Sequence, residues 1–168
     1  MIIDHNKRVM LVKKWFLIIS FVVIIIITIG TIIYLNAIQP LKSAEEKAIE
    51  IAMEETPLTV VDEFNIYNGE ETYYVLQGKN GDGTKLIVWV PEEKGKLIVK
   101  KASDGITKKQ AVDTVSAEIA TDSIITVKLG MEKGIPLWEI HSRTKGHLLN
   151  YYSVEFETGE WLKRIENL

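Results

Sequence analysis

Leu86-Ile87-Val88-Trp89-Val90 is an unbroken apolar run, closed by Pro91 and preceded by the turn signal Asn80-Gly81-Asp82-Gly83. A run this short, rich in β-branched residues and bounded by turn formers, reads as a strand. Side chains alternate across a strand, so Leu86, Val88 and Val90 take one face while Ile87 and Trp89 take the other. Its neighbour Thr72-Tyr73-Tyr74-Val75-Leu76 repeats the pattern. An antiparallel sheet with one wet face alternates apolar with polar residues, and these strands do not. Both of their faces need cover.

Outward from this pair, a complete unit emerges. Strands are expected at roughly 58–67, 72–78, 84–91 and 96–101, with Asn80–Gly83 turning the second into the third. Ser43-Ala44-Glu45-Glu46 ahead of them reads as a capping box, in which the serine side chain satisfies an orphan N–H and the glutamate reaches back. Ala48 and Ile51 behind it give the i, i+3 spacing of one buried helical stripe, and Pro57 helps close that helix. The unit then recurs at an offset of 64 residues without insertion. Thr107-Lys108-Lys109-Gln110 is the second capping box, with Val112 and Val115 behind it. Ile124-Ile125 answers Val60-Val61, Trp138 and Ile140 answer Tyr74 and Leu76, and Tyr152 and Val154 answer Val88 and Val90. Gly159 in Glu157-Thr158-Gly159-Glu160 answers Gly95 in Glu93-Lys94-Gly95-Lys96. Each unit is one helix on an antiparallel sheet of about four strands, an α+β architecture. Units of roughly 60 residues are marginal alone, so the two are expected to pack together.

The two sheets differ on the side away from their helices. In Asn150-Tyr151-Tyr152-Ser153-Val154-Glu155-Phe156, Tyr152, Val154 and Phe156 face the helix, while Ser153 and Glu155 face away. The outer face of the second sheet therefore carries Leu137, Glu139, Tyr151 and Ser153. That of the first carries Tyr73, Val75, Ile87 and Trp89. Large apolar patches mark interaction sites, which makes these four the candidate protein-binding face. Cover by the second unit, within the molecule, is the competing reading, and each can hold for part of the face.

Before the first unit lies Trp15–Tyr34, a run of twenty residues without a charge. At about 1.5 Å per residue it reaches across the ~30 Å hydrocarbon core of a bilayer, where helix is the only single-segment structure that satisfies the backbone. Lys7, Arg8, Lys13 and Lys14 precede it, and the next cation is Lys42, a bias that puts the N-terminus in the cytoplasm and the units outside. A cleaved secretory signal is the alternative. The run exceeds the usual apolar length of such signals, and no Ala-x-Ala site follows it. The expected organisation is a cytoplasmic basic leader over 1–14, a transmembrane helix over 15–34, a short linker over 35–41, and units over 42–102 and 103–168. Ala102-Ser103-Asp104-Gly105 is too short to separate the units flexibly.

Four of the 20 cations and one of the 23 acids precede Leu35, so the leader and anchor carry +3 and the remainder −6. An acidic exterior argues against nucleic acid and against anionic lipid or polymer as an electrostatic partner. The chain has no cysteine, so an exported domain here relies on its core, and thiol catalysis and lipoprotein attachment are excluded.

The exterior holds no constellation that carries chemistry. His141 falls on an outward parity and His147 in the turn Lys145-Gly146-His147, both expected to be solvent-facing. Asn80-Gly81-Asp82-Gly83-Thr84 faintly resembles a calcium loop, but its twelfth position is Pro91 instead of a bidentate glutamate. Glu45-Glu46, Glu54-Glu55 and Glu92-Glu93 are sequential carboxylates, which on a helix diverge by about 100° and cannot converge on one bond. No serine sits in Gly-x-Ser-x-Gly and no phosphate loop occurs. Neither catalytic residues, nor a metal site, nor a cofactor site is expected.

The layout resembles the TseB-like (YpmB-like) cell-wall elongation regulators of Gram-positive bacteria, with their PepSY-type, cystatin-like tandem units. The resemblance is carried by Lys13-Lys14-Trp15 onward, by Ser43-Ala44-Glu45-Glu46-Lys47-Ala48 and by Tyr73-Tyr74-Val75. Trp138-Glu139-Ile140 and Glu157-Thr158-Gly159-Glu160-Trp161 add to it, so that it spans nearly the whole chain. It implies a non-enzymatic single-pass membrane protein whose extracytoplasmic units bind and regulate a penicillin-binding transpeptidase of the elongation machinery. An inhibitor or chaperone of a secreted peptidase, of PepSY type, is the alternative.

Overall fold

The computed structural model describes residues 5–119, 123–144 and 148–166, with side chains from Lys13 onward. The chain divides into two compact units, Met1–Ala44 and Glu45–Leu168. Helix α1 spans His5–Glu55. Within the first unit its apolar side chains from Trp15 to Leu35 are exposed. The hydroxyls of Thr28 and Thr31 donate to the carbonyls of Ile24 and Ile27 at 2.8 Å, so neither adds an unmet polar group to the apolar surface. Among the described residues this is the one helix long and apolar enough to cross a membrane.

Two local expectations differ here. Residues 35–41, expected as a linker, are helical, and Pro40 lies inside α1. Ser43 lies inside the same helix and is not an N-cap. The amides after it have carbonyls four residues back to bond, so no orphan donors remain for a serine cap.

The second unit begins with the last turns of α1 and continues through two four-stranded antiparallel sheets. β1 (Leu58–Asn68), β2 (Thr72–Asn80), β3 (Lys85–Pro91) and β4 (Ile98–Lys101) form the first sheet in sequence order. A short 3-10 helix, Ala102–Asp104, leads to α2 (Lys108–Glu118). β5 (Ser123–Glu132), β6 (Ile135–Arg143), β7 (Leu149–Glu155) and β8 (Trp161–Ile165) form the second, again in sequence order. The 64-residue repeat is visible in the pairing. Leu76 opposes Val88 in the first sheet, and Ile140 opposes Tyr152 in the second. Both first strands carry register shifts, at Val61/Glu63 and Ile124/Thr126, near the same place in the repeat.

The second capping box forms as expected. Thr107 Oγ1 accepts from the Gln110 amide at 3.3 Å, and Gln110 Oε1 accepts from the Thr107 amide at 2.8 Å. Each helix buries small residues at i, i+4: Ala48 and Ala52 in α1, Ala111 and Val115 in α2. The stripe in α2 thus lies one residue before the expected Val112, which is half-buried. Alanine at these positions lets each helix backbone sit close to its sheet. Asn80–Gly83 is a turn. Asn80 Oδ1 accepts from the amides of Asp82 and Thr84, and Gly83 adopts φ +80°, a conformation glycine enters without strain.

Two cores result. One lies between α1 and the inner face of the first sheet, where Ala52, Leu58, Leu76, Leu86, Val88 and Val90 meet. The other joins the outer face of the first sheet to the second sheet and α2 in one continuous cluster.

Candidate binding sites

Tyr73, Val75, Ile87 and Trp89, the expected protein-binding face, belong to that second cluster and are 8%, 0%, 3% and 0% exposed. This corrects their reading as a docking surface: the second sheet covers them. The reason is complementarity along the seam. The Trp89 indole N–H donates to the Gly130 carbonyl at 2.9 Å, and its ring meets Phe156 edge-on at 5.8 Å. Asn65 Nδ2 donates at 3.0 Å to the carbonyl of Leu129, the residue in its own place in the other unit. Gly130 is what allows the approach. A Cβ there would run into the ring of Tyr67, which reaches from β1 to pack against Gly130 of β5.

The outer face of the second sheet is instead a half-buried polar cluster. Glu139 Oε1 lies 2.7 Å from His141 Nε2 and 3.3 Å from Lys128 Nζ. The His141 ring stands on Tyr151 with centroids 4.3 Å apart, and the Lys128 ammonium lies 5.7 Å over the Tyr67 ring. Lys163 reaches Glu132 at 3.7 Å. Burial, then the charges of Glu139 and Glu132, push the Tyr67 phenol up to about 12. His141 is therefore not simply solvent-facing, as its parity suggested. Glu139 and Tyr151, two and ten residues away, hold it. His147 lies outside the described residues.

Nothing in this cluster adds up to a catalytic arrangement. Among the described residues, the histidine has a carboxylate but no hydroxyl or thiol in hydrogen-bond contact. Ser142 begins a Ser-x-x-Lys spacing, Ser142-Arg143-Thr144-Lys145. Lys145 is outside the described residues, and Ser142 is buried on β6, its hydroxyl beside the Tyr152 phenol. No group of three or more His, Cys, Asp or Glu residues able to hold a metal occurs among the described residues.

A cleft opens along the seam between the sheets. It has a volume of about 230 Å3, with Ile87, Leu129, Trp138 and Phe156 among the apolar residues at its base and Glu63, Lys85 and Lys108 at its rim. Its walls are held from both sides. The Ile106 amide donates to the Phe156 carbonyl at 2.7 Å, and the Trp138 indole N–H donates to the Ile106 carbonyl at 2.9 Å. Sequence reasoning missed this cleft because its residues come from β1, β2, β3, the 3-10 helix, the start of α2, β5, β6 and the turn after β7, and only packing brings them together.

Residues 47–91 match the family model of the cell wall elongation regulator TseB-like domain. The probable cell wall elongation regulator TseB of Bacillus subtilis (strain 168) is 33% identical over 141 residues, covering 83% of this chain and 88% of that protein. Among solved structures, the YpmB protein from Bacillus subtilis superposes with a TM-score of 0.69 at 35% identity, over 72% of this chain and 95% of that one. With the tandem helix-and-sheet units, a long apolar helix ahead of them and identity across most of its length, the chain belongs to the family of TseB-like cell wall elongation regulators.

Proposed function

We propose that this protein is a non-enzymatic regulator, anchored by residues 15–34 with its N-terminus in the cytoplasm. Its two extracytoplasmic sheets then bind a penicillin-binding transpeptidase of the elongation machinery. The observation that carries this reading is the 33% identity across 83% of the chain to a protein named as a probable cell wall elongation regulator. The basic residues Lys13 and Lys14 before the apolar run support the orientation. The half-buried polar cluster and the seam cleft provide recognition surfaces without a nucleophile and base in register.

Two measurements test it. The chain has no cysteine of its own, so Lys7→Cys and Lys96→Cys each provide a single reporter. In intact cells a membrane-impermeant maleimide should label position 96 and spare position 7; the reverse pattern sinks the orientation. The full-length protein, crosslinked in membranes and captured, should recover an elongation-class transpeptidase, detected with a fluorescent penicillin. Recovery no greater than with an unrelated single-pass protein overturns the partner.

A further inference from the structure

We propose that the seam cleft takes an extended acidic segment of the partner protein, with an apolar side chain seated on the partly exposed Ile106 and Val127 beside Trp138 and a neighbouring carboxylate held by Lys85 and Lys108. The inference rests on the reading of the chain as a protein-binding regulator and names the chemistry of what it binds.

Three observations carry it. The cleft, about 230 Å3, falls below the roughly 300–1,000 Å3 of pockets that enclose whole small molecules. It suits a side chain presented by a peptide better than a cofactor. Its charge opposes that of the exterior around it. Leu35 to Leu168 carries −6, yet two lysine ammoniums stand at this rim in no ion pair among the described residues. Lys128 is paired with Glu139 at 3.3 Å. Glu63 accepts from the neutral Gln77 Nε2 at 2.8 Å and keeps its charge, so Lys85 and Lys108 leave the cleft with a net charge of about +1. The first turn of α2 opens at the same rim and adds its positive dipole end. A carboxylate approaching there meets those two ammoniums and a helix N-terminus, whose attraction exceeds the repulsion of Glu63 alone.

The cleft is also built before anything binds. The backbone and indole hydrogen bonds at Ile106 fix one wall, and Lys100 and Glu157, 2.8 Å apart, tie β4 to the turn after β7. A preformed groove avoids much of the ordering cost that weakens association.

The test uses the full-length protein in nanodiscs and three synthetic decapeptides, blocked at both ends: alternating Leu-Glu, Leu-Gln and Leu-Lys. Titration calorimetry at low ionic strength should show the glutamate peptide binding about tenfold more tightly than the other two. Lys85→Glu/Lys108→Glu should remove that preference, and Lys96→Glu, at an exposed lysine off the cleft, should keep it. Circular dichroism checks that the double variant is folded, and Lys85→Gln/Lys108→Gln should fall between. Equal binding of the three peptides, or a preference that survives the double variant, overturns the cleft assignment. So does a concentration-dependent dimer that the double variant dissolves, which would make a second copy the occupant. Capture of the transpeptidase is scored separately. If it persists while the peptide preference is absent, the cleft assignment fails and the regulatory function stands. If it is absent while the preference holds, the partner fails and the cleft stands.

Discussion

The outer faces of the two sheets occupy the same place in a repeated unit and have opposite fates. On the first, Val75 and Trp89 are fully buried in an apolar seam. On the second, Lys128, Glu139 and His141 have side chains 29%, 18% and 22% exposed, with Glu139 in contact with both of the others. The repeat gives the molecule two sheets of the same topology, and the apolar outer face is the one packed in the seam. The apolar face became core, and the polar face was left to make a surface of its own.

Breaking the seam should have the largest effect. Trp89→Ala removes a fully buried ring and its bond to the Gly130 carbonyl, and should cost about 3–5 kcal/mol of unfolding free energy in chemical denaturation. A loss below about 1 kcal/mol would mean the sheets are not joined there. Trp89→Glu should fail to fold.

Tyr67 joins the two faces, and its titration sharpens the contrast. Its folded-state pKa, about 12, lies above the ordinary 10, so the folded state keeps a proton that the unfolded state loses. Its contribution is complete below pH 10 and is lost between pH 10 and about 12, on the order of 2 kcal/mol in all. Tyr67→Phe should flatten this part of the alkaline stability profile; an unchanged slope would refute it.

Gly130→Ala places a methyl group against the Tyr67 ring and should destabilise by about 1–3 kcal/mol through overpacking. Tyr67→Leu in the same chain should recover part of the loss, as a double-mutant cycle would show. The smallest effect belongs to the polar face. Glu139→Gln removes the partly exposed ion pair with Lys128 and alters the hydrogen bond with His141, and should cost less than about 1 kcal/mol. It should also lower the Tyr67 pKa, which the Glu139 charge helps to raise. A large loss of stability from this change would show the polar face to be as structural as the apolar one.

Much of this organisation was legible in local pattern. The offset of 64 residues, the strand faces and the Thr107–Gln110 box all survive in the structure because each depends on neighbours close in sequence. The Ser43 box was misread for a related reason. A capping motif is identical on paper whether or not a helix already runs through it, and here one does. His141 was misread because its parity gives only the face of the strand. Its partners share that face: Glu139 lies two residues along the strand, and Tyr151 lies directly opposite on β7.

By itself the sequence determined the apolar helix, the two helix-and-sheet units and the surplus of apolar residues on one outer face. Helical and strand periodicity, hydrophobic length and turn chemistry are properties of adjacent residues. Tertiary structure decided what covers that face, and with it which surfaces remain for a partner. Burial of Trp89 needs a carbonyl at residue 130 and a glycine that lets Tyr67 approach. The cleft needs Lys85 and Lys108 brought to one rim. No local rule joins residues so far apart; only the packing of one sheet on the other does.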